Sequence, residues 1–434
     1  MVQTDKICCL VDPQSSSNSY FFKVIVPASI MQNFFDLAIQ HQQNIVNPTG
    51  FKQGITPRLY IQEHFKTPIL KSIKDLGLRF FGINALLQHI RAEKIVLIGH
   101  PELKDIEVDS QGNAIYTFQA STPKELYIQS WKYLPFQAVP RKKYRDIDKQ
   151  VALFLQEETE LSAKNATNQK IYPLDWVNFK IWVLDKNNEP LFADKMTSNW
   201  IRIGDEETDI DTQKLFVGKK VGDKFVTDNI IFQEYFCQNS YNQYDYLVEI
   251  LDVVPYNNFS FDNFKHYFKI KTHKDLLSKI TEIFSFNNDI SQRRSIAFEA
   301  LDLIIRKNQI VIPDASIFSQ KKQIIQTLQY KTDFIVYKQD PDFEHHITNM
   351  AQRQLLDSAV AENIAYQDNL QISQTDIKAI LQLTQRPRLR DFLYFPFIKT
   401  QMQGQEIPID AATLYHYALK EKAVNHIIYH LTKK

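Results

Sequence analysis

The sequence predicts an α+β multidomain protein: a small α+β N-terminal domain, a β-rich middle domain and an extended all-helical C-terminal domain. Three observations predict it. The chain has 434 residues, about three times an ordinary single domain, so separate cores are expected. Its apolar period changes twice, to strand spacing near Trp176 and to helical spacing beyond Pro255. No glycine occurs between Gly222 and Gly404, a stretch therefore expected to be helical. The expected divisions are residues 1–120, a connector over 121–165 whose helix packs with the C-terminal domain, then 166–255 and 256–434.

In chain order, Tyr20–Val26 reads as a buried strand, and Pro27 opens a helix with Ile30, Phe34, Leu37 and Ala38 at helical spacing. Two helix starts of one form follow, Thr56-Pro57 and Thr67-Pro68, in which threonine is expected to cap the free amides and proline to occupy the first turn. Ile69, Ile73, Leu76, Phe80, Leu87 and Ile90 form a core stripe on the second of these. Ile95–Ile98, Ile106–Val108 and Ile115–Ala120 read as strands. Pro123, Pro135 and Pro140 mark an extended connector before an amphipathic helix near Ile147–Glu157. Val177–Leu184, Trp200–Ile203, Lys224–Ile231 and Tyr246–Val254 read as strands of the middle domain. Beyond Pro255, helical faces recur, and Ser373 with Asp376 forms a capping-box pattern before Ile377, Ile380 and Leu381.

Composition narrows the function. Apolar residues at 44% and charged residues at 23% suit a folded chain. Lysine plus arginine, 51, nearly cancel aspartate plus glutamate, 50, so no global field draws the protein to nucleic acid or anionic lipid. No apolar run approaches the roughly 18 residues that span a bilayer. Met1–Leu10 carries one lysine and a short apolar patch at Ile7–Val11, well short of a secretory leader, and a cytoplasmic location is expected. Cys8, Cys9 and Cys237 give no disulfide framework and read as free thiols, the first two at a strand edge. Ten glycines, about a third of the usual share, leave few phosphate-cradling loops. No nucleotide or other cofactor is expected.

Catalytic constellations are sparse. His426 and His430 lie one helical turn apart without the acidic partner of a zinc motif, and read as a packed or surface pair. In Glu344-His345-His346, adjacent side chains point apart. The segment Gly50-Phe51-Lys52-Gln53-Gly54-Ile55-Thr56-Pro57 is different. Its two glycines permit positive φ, so an aromatic ring and a cation can be displayed between two helices; taken alone, the residues favour a plain connecting loop with Phe51 folded back into the core.

This segment resembles the ribosome-docking signature of the trigger factor family, Gly-Phe-Arg-x-Gly-x-x-Pro. The order of elements around it is similar too, with Gly99-His100-Pro101 in place of a Gly-x-Pro strand start, Ile312-Pro313 before a helix, and the helical run Ala351–Ile364. The resemblance covers essentially the whole chain and is strongest over residues 20–120. It implies that Gly50, Phe51, Lys52, Gln53 and Gly54 dock beside the exit tunnel of the large ribosomal subunit, on a ribosomal protein and nearby rRNA. It implies unfolded nascent polypeptides as partners, no membrane, and leaves homodimerisation off the ribosome open. Lysine at 52 loses the bidentate geometry of arginine, and Gln53 and Ile55 replace residues often basic in the family, so weak docking is expected; Arg58, Lys66 and Lys71 are near enough to compensate.

In the middle domain, Leu215-Phe216-Val217-Gly218-Lys219-Lys220-Val221-Gly222-Asp223 and Phe232-x-x-Tyr235 resemble FKBP-type segments, which implies an FKBP-like fold. The corresponding prolyl isomerase pocket would draw on Trp182, Phe192, Trp200, Phe216 and Tyr235. It departs from the family pattern: Ala193 follows Phe192 where an acidic residue is usual, unless Asp194 shifts into place, and Asp211–Lys214 replaces an Ile-Pro-Gly-aromatic segment. The reading that results is an ATP-independent, ribosome-associated chaperone that holds new polypeptides open and assists folding or export. Alternatives are an active prolyl isomerase, a ribosome-independent holding chaperone, and a secreted folding factor similar to the periplasmic parvulin chaperones.

Overall fold

A computed structural model describes residues 6–13, 19–123, 126, 128–138, 140, 146–165, 170–192, 194, 196–237, 243–287, 289–308 and 310–433. Met1–Asp5 and Ala193, which entered the sequence reading, lie outside them. The N-terminal part is a four-stranded antiparallel sheet of order β1-β2-β4-β3, built from β1 (Cys8–Pro13), β2 (Ser19–Val26), β3 (Ile98–Val108) and β4 (Ala114–Ser121). Alternate side chains Phe22, Val24 and Val26 of β2, and Ala114, Tyr116, Phe118 and Ala120 of β4, are buried, which is the period-two signature of a sheet covered on one face. β3 is a single strand where two were expected; register shifts between Ile98 and Glu102 and between Leu103 and Asp105 bend it.

The sheet is covered by α1 (Ala28–Ile45), α2 (Arg58–His64), α3 (Lys66–Gly77) and α4 (Ile83–Ala92). A π-helical turn at Leu78–Gly82 joins α3 to α4, so the expected apolar stripe continues across both helices and all six of its residues are buried. Neither threonine caps a helix. Pro57 is itself the N-cap of α2, which sets Thr56 one residue too early to reach the free amides, and Thr67 lies inside α3, which begins at Lys66.

After α5 (Ile147–Asn165), the middle sheet has order β13-β6-β5-β8-β7, comprising β5 (Trp176–Val183), β6 (Thr197–Arg202), β7 (Lys224–Thr227), β8 (Tyr246–Val254) and, from far along the chain, β13 (Ile409–Asp410). Helices α6 (Ile210–Phe216) and α7 (Ile230–Phe236) accompany it. The strand expected over Lys224–Ile231 stops at Thr227, where Asn229 accepts a hydrogen bond from the Ile231 amide and starts α7 instead. Because β13 belongs to the C-terminal part, the middle sheet is not contiguous in sequence.

The remainder is helical: α8 (Phe261–Phe268), α9 (His273–Phe284), α10 (Gln292–Lys307), α11 (Asp314–Leu328), α12 (Phe334–Lys338), α13 (Phe343–Gln367), α14 (Gln374–Gln385) and α15 (Ala411–Thr432). Short hairpins β9 (Phe286–Asn287) with β10 (Ile290–Ser291), and β11 (Gln401–Met402) with β12 (Gln405–Glu406), interrupt it. The Ser373–Asp376 capping box forms, and a second one joins Thr272 to Asp275. One apolar core runs from α5 through the helices to Trp176 and Trp200 of the middle sheet. A second joins the N-terminal and middle sheets, with Phe80 on Phe236 at 4.5 Å between ring centroids. A third seats Ile98 of β3 among Ile324, Phe343 and Ile347 of α11 and α13. No helix among the described residues is long and apolar enough to cross a membrane.

Candidate functional site

The loop between α1 and α2 turns on Gly50 and Gly54, at φ of 97° and 81°, a region where a Cβ is strained. Two tight turns result: the Phe51 amide donates to the Pro48 carbonyl and the Ile55 amide to that of Lys52, each at 3.1 Å. Side chains tie the loop to α1. The Gln43 amide donates to the Thr56 carbonyl at 2.8 Å, and Gln53 donates to the Asn44 carbonyl at 3.3 Å, satisfying an acceptor in the last turn of the helix.

The expected docking residues are thus divided. Lys52 is exposed, while Gln53 is turned back on α1. Phe51 is half-buried, its ring 5.2 Å from that of Tyr60, which in turn lies 4.2 Å from His64. The side chains displayed instead are Ile55 and Leu59, 68% and 70% exposed, and Ile45 at the end of α1 is exposed too. Arg58, in the first turn of α2, is held by Asp36 of α1. Sequence reasoning passed over Leu59 although a signal existed. Leu59, Tyr60 and Ile61 are consecutive in a seven-residue helix, and consecutive helical residues diverge by about 100°, so they cannot all face inward.

The five aromatic residues expected to line an isomerase pocket do not share a cleft, which corrects that reading. On β5 and β6, cross-strand pairing of Asn178 with Trp200 places Trp200, and by alternation Trp182, on the outer face of the middle sheet. Phe216 is buried on the inner face against Phe179, with ring centroids 5.4 Å apart. Tyr235 is buried beside Phe236, with the Arg79 guanidinium 5.0 Å from its ring. Phe192 leaves the sheet for the N-terminal part and meets Phe34 of α1 edge-on at 5.7 Å. Spacing along a strand is visible in the sequence; which face a residue takes depends on register, and that is not.

A second displayed surface lies on the arm formed by α11 and α12. Val311, Phe318, Tyr330, Ile335 and Val336, in these two helices and the segments that flank them, are between 71% and 88% exposed. The remaining candidates are structural. His426 and His430 pack on each other at 4.5 Å and on Trp131, and His426 lies 2.6 Å from the Asp368 carboxylate. Burial lowers the pKa of His426 more than Asp368 raises it. Among the described residues no group of three or more histidine, cysteine, aspartate or glutamate side chains is placed to hold a metal. Burial also pushes the thiols of Cys9 and Cys237 up to about 12, so both stay protonated at neutral pH.

Fold and site together define a multidomain α+β protein with a pinned, apolar-tipped loop at one place and an apolar helical arm at another. A solved structure of the trigger factor chaperone, concerned with its promiscuous substrate recognition in folding and assembly, is similar to this chain over 96% of its length and 99% of the other's, at 15% identity and a TM-score of 0.36. No protein-family model and no curated protein sequence matches the chain.

Proposed function

We propose that the protein is an ATP-independent chaperone that docks on the large ribosomal subunit near the exit tunnel, in the cytoplasm, and holds newly synthesised polypeptides open until they fold or are exported. The observation that carries the reading is the Gly50–Pro57 tip. It matches the docking signature at its glycines, Phe51 and Pro57, and it holds Ile55 and Leu59 out in solvent beside the cation of Lys52. Two aliphatic side chains offered together at a loop tip give a partner apolar area to bury. Phe51 acts from behind, its ring on Tyr60 fixing the angle at which the tip is offered.

The apolar arm supports the holding part. Its exposed side chains offer many shallow contacts and no deep anchor, which suits weak, sequence-tolerant capture of unfolded chain. Release then needs no nucleotide. Ribosome co-sedimentation tests the docking: Ile55→Ala with Leu59→Ala, and separately Phe51→Ala with Lys52→Ala, are expected to leave the pellet. Unchanged pelleting of both variants, with suppression of client aggregation intact, would leave a ribosome-independent holding chaperone.

A further inference from the structure

A cleft of about 930 Å³ lies between the outer face of the middle sheet and the Leu393–Gly404 segment. Its floor holds Trp176 and Arg202, which stand opposite each other on β5 and β6 and therefore project to the same side. Trp176 is almost wholly buried, and its indole N–H has no acceptor; neither has Nε of Arg202, although another of its guanidinium nitrogens lies 3.3 Å from Glu406. Three further cations, Arg294, Arg390 and Lys399, line the cleft and are exposed, and none forms an ion pair among the described residues. No aspartate or glutamate lines it. In a chain whose charges nearly cancel, the three unpaired cations beside Arg202, whose own charge is offset by Glu406, give the cleft a local field of one sign.

Apolar side chains, Leu393, Phe395, Phe397, Ile398 and Met402, form one run of the wall, with the neutral polar Thr384, Thr400, Gln401 and Gln403 beside them. Phe397 already meets Trp176 and Tyr417 edge-to-face, at 6.0 and 5.2 Å, so the wall offers edges and aliphatic surface in place of open ring faces on which bases stack. Tyr330, from the arm, reaches the rim. We infer that this cleft binds extended peptide segments in which acidic residues alternate with apolar ones. The carboxylates would meet Arg294, Arg390 and Lys399 at the rim while the apolar side chains lie along Phe395–Ile398. The inference deepens the holding reading, on which its biological sense rests, and gives an otherwise tolerant chaperone a preference for anionic clients that the arm alone does not supply.

The test is fluorescence anisotropy of the full chain with a labelled dodecapeptide alternating glutamate with leucine or phenylalanine, and with a twin carrying lysine at each glutamate. The acidic peptide is expected to bind about tenfold tighter, and Arg294→Gln with Arg390→Gln and Lys399→Gln to remove about that factor, as three partly screened ion pairs should. Added salt should weaken the acidic peptide alone. Equal binding of the twins, or unchanged affinity in the triple variant, overturns the inference. Tighter binding of a single-stranded RNA of equal charge overturns the peptide assignment. A charge-reversed variant, Arg294→Glu with Lys399→Glu, should transfer preference to the lysine twin, and no transfer counts against the cleft. Suppressed aggregation of a client without acidic stretches reports on the holding reading separately, because it should survive every one of these substitutions.

Discussion

Arg386, just beyond α14, grips Glu158 of α5 through two parallel hydrogen bonds of 2.8 and 2.7 Å, both side chains only 9% exposed. The guanidinium also lies 4.9 Å from the ring of Tyr256. The connector helix is thereby tied to the helical region where the chain leaves the middle sheet. Removing one member strands the other charge: Glu158→Ala is expected to cost about 3 to 5 kcal/mol, read as a lower urea midpoint. Glu158→Leu with Arg386→Met should recover most of that loss, since a buried pair exchanged for apolar volume is often neutral. Additive losses in the double variant would contradict the coupling.

Gly77 is required by Tyr116. The tyrosine hydroxyl donates to the Lys74 carbonyl at 3.0 Å, and a Cβ at residue 77 would fall 2.3 Å from that oxygen. Gly77→Ala should therefore destabilise by about 1 to 3 kcal/mol. In a Tyr116→Phe background the next ring atom is 3.5 Å away, and the same substitution should cost clearly less. Thermal unfolding of the four proteins measures this non-additivity.

Glu362 of α13 is buried where the N-terminal and helical parts meet, accepting from the Leu97 amide at 3.0 Å and the Tyr366 hydroxyl at 3.1 Å, with His416 at 3.6 Å. Burial pushes its carboxyl up to about 7, only partly offset by those bonds and by Lys420. A carboxyl raised above its unfolded value holds its proton in the folded state; the stability this gives is present below about pH 4.5 and is lost as pH climbs to 7. Glu362→Gln has no such loss. Urea midpoints at pH 5 and pH 8 should shift in favour of the glutamine variant at the higher pH, and the opposite shift would show that the carboxylate is stabilised there.

Ile55 and Leu59 separate function from stability. Both are largely exposed, so alanine at both positions should move the unfolding free energy by less than about 0.5 kcal/mol, while the proposed docking requires the same variant to leave the ribosome pellet. Phe51→Ala should lower stability measurably as well, through the lost ring contact with Tyr60.

Prolyl isomerisation of a short peptide by the full chain is expected to run at its uncatalysed rate, because Trp200 and Phe216 lie on opposite faces of one sheet. Catalysis removed by Trp182→Ala or Tyr235→Ala would show that these rings form a pocket after all.

Local chemistry was legible in the sequence and long-range register was not. Ser373 and Asp376 are three residues apart and interact with the nearest backbone, so their capping box could be read directly. The buried stripe from Ile69 to Ile90 was legible too, although the π turn within it was not. Gly50 and Gly54 marked a turn, but whether Phe51 or Ile55 stands outermost depends on Tyr60 and on Gln53 bonding to Asn44. The isomerase pocket failed because a period-two pattern fixes alternation without saying which set meets which neighbour. Nothing near residue 409 announces that its partner is Trp200.

That last pairing has a temporal meaning. A ribosome releases β8 well before β13, roughly 150 residues later in the chain, a delay of about 8 to 30 s at ordinary synthesis rates. Throughout it the edge of β6 has no neighbour on one side, and edges in that condition invite pairing with other chains. While it is being made, the chain therefore carries an unfinished sheet whose open edge lasts until its final strand arrives.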